Sequence, residues 1–225
     1  MPGYMAKGSL ADDEMGLPLS ERTVGNYLQE QGYTTGIIGK WHQGNADQYH
    51  PTKRGFDYFY GFRGGARSYF AFSDENPNYR PEDNLERGFG KFEESPLYLT
   101  DALANDAIDF IHRENKAPFF LFLSFNAVHS PMEARKEDLA ALPNLQGKRR
   151  TLAAMNLAMD RAIGRVLSAL DNTGLSDSTR VIYSNDNGGP SDDNGSGNTP
   201  LARHQSQPSR GRYSRTFYRS LARYY

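Results

Sequence analysis

Apolar positions along this chain fall into helical and strand rhythms that alternate. Ser20 is an N-cap type, Val24, Tyr27 and Leu28 follow at helical spacing, and Gly32 closes the run, so a short helix is predicted there. "YTTGII" comes next, β-branched and apolar, and predicts a buried strand. Thr100 is placed to cap a second helix whose apolar face holds Leu103, Ala107, Ile108 and Ile111. "PFFLFLSF", Pro118 to Phe125, lacks alternation and predicts a strand buried on both faces, as in a parallel sheet. Leu152, Met155, Met159, Ile163, Val166 and Leu170 give a third helix from about Arg150 to Thr173, stopped by Gly174. "RVIYS", Arg180 to Ser184, is the last predicted strand. Helix and strand alternate throughout, which implies an α/β fold with a mostly parallel sheet flanked by helices.

Residues 45 to 97 break the rhythm. They are rich in Gly, Pro, Asn, Asp and aromatics and read as a long irregular excursion, a kind of segment that tends to be functional. Three polar clusters stand at predicted strand exits: Lys40, Trp41 and His42; Asn126 and His129; Asp186 and Asn187. Taken singly, each is also an ordinary strand end or turn. Together they matter, because ligands in open α/β sheets bind beyond the carboxyl ends of the strands. The residue types suit an oxyanion near a hard cation. Lysine is a point charge for sulfate or phosphate. Asp and Asn offer oxygen ligands of the kind Ca²⁺ or Mg²⁺ prefers. Histidine moves protons near neutral pH. His50 and His112 have no such context, and His112 reads as a surface residue.

At 225 residues with 37% hydrophobic content the chain can build one real core. It contains no Cys, which excludes disulfides, thiolate metal sites and a Cys nucleophile. No window is apolar enough for a membrane span, and no signal peptide is visible at the start. Net charge is −1, but the last 24 residues, Ala202 to Tyr225, carry six Arg and no acidic residue; without them 20 basic face 27 acidic residues. So sharp a break divides the chain into residues 1–201 and a basic tail, 202–225.

The segments "LPLSERTVGNYLQEQGYTTGIIGKWHQG", "HPTKRGFDYFYGF", "APFFLFLSFNAVHSPMEA" and "MDRAIGRVLSALDNTGLSDSTRVIYSNDNGG" resemble, in this order, the sulfatase family of the alkaline phosphatase superfamily, over Leu17 to Leu201. The resemblance is to arylsulfatase-type and carbohydrate sulfatases. It implies an alkaline phosphatase-like fold, incomplete in this chain, and hydrolysis of a sulfated carbohydrate or aryl sulfate by the intact parent. It implies Ca²⁺ and a formylglycine made from Cys or Ser in a Cys/Ser-x-Pro-x-Arg motif. Carried over by motif position, Lys40 neutralises the sulfate, His42 is a base, His129 contacts the sulfate and the leaving oxygen, and Asp186 and Asn187 ligate the metal. A periplasmic or secreted parent is implied as well, with no nucleic-acid or membrane partner.

Two departures set further expectations. The family's metal-binding Asp pair and nucleophile motif precede the "GKWH" region and are absent here. The only Ser-x-Pro-x-Arg text is "SQPSR", Ser206 to Arg210, inside the tail. An internal fragment is therefore expected to be inactive and to bind Ca²⁺ weakly. Beyond Leu201 the family continues with a Lys and an acidic-Gly-Gly turn, whereas this tail has no Lys. A one-base shift in legal codons for Arg203 onward restores such a continuation, so the tail is expected to be frameshifted and disordered. Two alternatives stay open: a phosphodiesterase or phosphonate hydrolase of the same superfamily, and a non-catalytic binding module whose Arg/Tyr tail grips an acidic polymer.

Overall fold

The computed structural model describes residues 15–72, 84–190, 194–197 and 219–220. Helix α1 spans Val24–Glu30, and its N-cap is Thr23 instead of the expected Ser20. Thr23 and Asn26 form a reciprocal capping box, with Thr23 N donating to Asn26 Oδ1 at 3.0 Å and Asn26 N to Thr23 Oγ1 at 3.3 Å. The expected apolar stripe is not buried: Val24 is 51% and Tyr27 54% exposed. The helix docks by close backbone approach instead. A Cβ on Gly25 would lie 2.1 Å from the Gly55 carbonyl oxygen, and Thr23 Oγ1 donates to the Arg54 carbonyl at 2.6 Å.

Strand β1, Thr34–Lys40, lies inside a four-stranded sheet ordered β3-β2-β1-β4. It runs parallel to β2, Tyr58–Phe62, and to β4, Phe119–Ser124. β3, Glu86–Arg87, closes the far edge antiparallel to β2. The mostly parallel α/β sheet is thus as expected, but β2 corrects the irregular reading of residues 45–97. Its "YFYGF" is largely buried, and its aromatics fill both faces.

Successive strand side chains point to opposite faces, so Ile37 and Ile38, both fully buried, enter different cores. Ile38 packs with Tyr60 and Phe62 beneath helices α2, Leu99–Arg113, and α4, Gly147–Asn172. Ile37 packs with Trp41, Phe56 and Phe59 on the other side. Gly36 lets α2 settle onto the sheet, since a Cβ there would meet the Phe110 ring at 2.7 Å. The residues predicted for α2 and α4 supply this core, including Leu103, Ala107 and Met155. Thr100 does not cap α2. It is fully buried one residue inside the helix, Tyr98 stands at the N-cap, and the Thr100 hydroxyl has no hydrogen-bond partner among the described residues. α4 begins at Gly147, ahead of Arg150. It ends as expected at Gly174, which adopts φ 70, and Leu175 N donates back to Leu170 O at 2.9 Å. The short helix α3, Lys136–Ala140, had no sequence signal.

The end of the sheet differs most from expectation. β4 is an edge strand and not one covered on both faces; Phe122 is 49% exposed. The last predicted strand shrinks to β5, Ile182–Tyr183, which is 67% and 42% exposed and does not join the main sheet. It pairs antiparallel with β6, Arg219–Ser220. An unbroken apolar run signals two covered faces only when layers exist to cover them, and among the described residues nothing pairs with the outer edge of β4. The division at residue 201 lies outside the described residues, as does the tail apart from Arg219–Ser220.

Candidate active site

The carboxyl ends of β1, β2 and β4 lie side by side, with Gly39 level with Gly61 on one flank and Ser124 on the other. Close approach is possible because two of these are glycines. A Cβ on Gly39 would sit 2.0 Å from the Ser124 carbonyl oxygen, and one on Gly61 1.9 Å from that of Gly39. Lys40 ends β1. Beyond it the β1–β2 pairing continues for two more bonds, Trp41 N to Phe62 O and His42 N to Arg63 O, each 3.0 Å. Trp41 is buried against Phe56 and donates Nε1–H to the Tyr49 carbonyl at 2.8 Å. Between these anchors His42 adopts φ 52, an uncommon conformation for a residue with a side chain.

The electrostatics link the predicted residues. Burial pushes the Lys40 ammonium below its ordinary range, and the Asp186 carboxylate partly restores it. Burial likewise lowers His42, helped by the charges of Lys40 and then His129. Lys40, His42, His129 and Asp186 therefore share one field, although they lie on three separate segments. His129 stands on the turn after β4, where its N–H donates to Asn126 O at 2.8 Å. Its Nδ1 lies 2.8 Å from the Ser130 carbonyl. A carbonyl only accepts, so Nδ1 carries a proton, and in the neutral ring Nε2 has a free lone pair.

Sequence reasoning missed the groups that hold this turn and the neighbouring strand. The Tyr69 hydroxyl donates to both the Asn126 and His129 carbonyls at 2.9 Å, from a fully buried ring stacked on Tyr98. His50 is no isolated residue. It is fully buried, edge-on to Phe59 and Phe89, with Nε2 3.5 Å from Glu86. Glu86 accepts two hydrogen bonds from Arg63, at 2.8 and 2.7 Å, and one from Gly90 N at 2.6 Å. An aromatic flanked by charges was the only available signal, and it does not reveal partners 20 or more residues away. His112 is exposed, as expected. Asn126 is buried, with neither end of its carboxamide hydrogen-bonded among the described residues.

The metal ligands implied by the resemblance do not make a site on their own. Asp186 and Asn187 are exposed, and their polar groups bond locally: Asn187 N donates to Asp186 Oδ1 at 2.8 Å and Asn187 Nδ2 to Gly188 O at 2.9 Å. Among the described residues no three His, Cys, Asp or Glu side chains gather to hold a metal. A calcium shell of six to eight oxygens needs more than this pair.

A family model described as "Sulfatase" matches residues 4–215, wider at both ends than the resemblance over Leu17 to Leu201. The chain belongs to the sulfatase family. It is 34% identical to rat N-acetylgalactosamine-6-sulfatase over 187 residues, covering 77% of this chain and 34% of that protein. It is 35% identical to mouse arylsulfatase J over 193 residues, covering 82% of this chain and 32% of that one. The solved structure of Ps i-CgsB in complex with k-i-k-neocarrahexaose superposes with TM-score 0.75 at 37% identity, covering 82% of this chain and 44% of that chain. The α/β architecture is thus the sulfatase, alkaline phosphatase-like one. The chain spans about a third of the length of the curated relatives it matches.

Proposed function

We propose that this chain carries the sulfate-recognising part of a sulfuric ester hydrolase, and that the whole protein cleaves a sulfate ester of a carbohydrate or an aryl alcohol. The observation that supports it is the convergence of Lys40, His42 and His129 at adjacent strand ends, beyond the carboxyl edge of a sulfatase-family sheet. Lys40 offers positive charge to the non-bridging oxygens. His42, lowered by burial and its cationic neighbours, is neutral near pH 7 and free to accept a proton. His129, whose Nδ1–H is held by the Ser130 carbonyl, serves the leaving oxygen in its doubly protonated form, passing the Nε2 proton to that oxygen as the S–O bond breaks. The N-acetylgalactosamine-6-sulfatase relatives and the neocarrahexaose bound to Ps i-CgsB favour a sulfated carbohydrate. A periplasmic or secreted location for the whole protein belongs to the same proposal.

The residues in hand supply charge and proton transfer but no nucleophile. The chain has no Cys, and its only Ser-x-Pro-x-Arg segment, residues 206–210, lies outside the described residues. Among the described residues the calcium and formylglycine of the family resemblance therefore have no fitted place, and His42 and His129 alone offer no covalent route. The purified chain is expected to release no phenol from an aryl sulfate. In the whole protein, His129→Ala is expected to lower kcat by about 10²–10⁴-fold, the usual worth of a positioned acid or base. Turnover by the isolated chain that His129→Ala abolishes overturns the expectation that this chain is inactive alone, and a whole protein indifferent to that substitution overturns the proposal.

A further inference from the structure

Gly65 lies three residues past the end of β2, in the turn "RGGA". A Cβ added there would stand 2.6 Å from His42 Nε2, 2.9 Å from its Cε1 and 3.2 Å from its Cδ2. Three atoms of one imidazole thus face the bare side of one glycine. The φ of Gly65 lies outside the left-handed range, so its backbone does not require glycine; the space taken by the ring does. His42 is constrained from the other side too. Its φ of 52 is set by the bond from His42 N to Arg63 O and by the anchored Trp41 before it. Arg63 is itself held by Glu86, by the Asn45 carbonyl at 2.9 Å and by Asp47 at 2.8 Å.

We propose that Gly65 is a positioning residue for His42: the volume of its absent side chain is where the imidazole lies, and any side chain there drives the ring out of line with Lys40 and His129. The backbone fixes where the ring starts, and the Gly65 surface fixes where it ends. Small residues beside an active histidine are easily read as turn formers. Here the turn geometry alone leaves residue 65 free, and only the packed ring demands that it be glycine. The inference rests on His42 being a site residue, but its test uses no turnover, so failure of the proposed hydrolase reading leaves it standing or falling separately.

The test compares Gly65→Ala, His42→Ala and the double variant, with Gly164→Ala as control; nothing lies within 4 Å of a Cβ on Gly164. Gly65→Ala is expected to lower Tm by about 2–4 °C or more, as overpacking does. That drop is expected to vanish in the His42→Ala background, because the clashing ring is gone. The His42 ring proton, followed by NMR, is expected to titrate at higher pH in Gly65→Ala, since the ring leaves its buried place and the fields of Lys40 and His129. Gly164→Ala is expected to leave that titration unchanged. An equal Tm loss in both backgrounds overturns the proposal, as does an unmoved His42 titration. Should Gly65→Ala alone fail to fold, recovery of folding in the double variant supports it and continued failure overturns it.

Discussion

Lys40 stands where two influences oppose each other. Burial lowers its pKa and Asp186 raises it, with burial the larger. Asp186→Asn removes only the raising influence, so the Lys40 ammonium should titrate at lower pH still. The stability cost at neutral pH should stay below about 1 kcal/mol, because Asp186 is exposed and solvent screens the pair. NMR of the Lys40 side chain against pH checks this, and an unmoved titration contradicts it. Lys40, His42, His129 and Asp186 were legible in the sequence because each follows an apolar strand run abruptly. Tyr69 and Gly65 were not. Tyr69 acts on carbonyls 57 and 60 positions away, and Gly65 acts through a ring brought to it by strand pairing. No local pattern records such contacts.

Among the elements, β1, α2 and α4 were readable because their periodicity survives into the core. β2 was hidden: "YFYGF" sits among glycines and prolines, and a five-residue aromatic strand there has the composition of a loop. What holds it is the buried ion cluster at its end. Burial alone would raise the Glu86 carboxyl, but His50, Arg63 and the Gly90 N–H outweigh that and hold it at about 2. The folded value is below the ordinary 4.5, so the stability it contributes is complete above pH 4.5 and is lost as pH falls toward about 2. Glu86→Gln should cost about 1–3 kcal/mol at pH 7, because it removes the two-point carboxylate partner of Arg63 and leaves that guanidinium only Asp47 and the Asn45 carbonyl. The same variant should lack this part of the acid sensitivity. Denaturant melts at pH 7 and pH 3 measure both, and a cost under about 1 kcal/mol at pH 7 contradicts the assignment.

At the scale of the molecule, the sheet runs from β3 to an edge at β4 that nothing among the described residues pairs with, while β5 pairs with β6 and not with that sheet. The sequence suggested one continuous sheet, because each strand segment carried its own signal. Neighbour relations do not follow from such signals. Even so, Lys40 at the end of β1, His42 just beyond it and His129 after β4 stand at adjacent strand ends without β5, since β1 and β4 pair directly. The central claim is that Lys40, His42 and His129 form one anion site. The most direct measurement is a titration of the chain with inorganic sulfate, following all five histidine ring signals by NMR. The His42 and His129 signals are predicted to move together with a single Kd, His112 is predicted to stay still, and Lys40→Ala is predicted to weaken the shared Kd by about tenfold, the worth of one charge-assisted contact. Separate Kd values for the two histidines, or a Kd indifferent to Lys40→Ala, would contradict it.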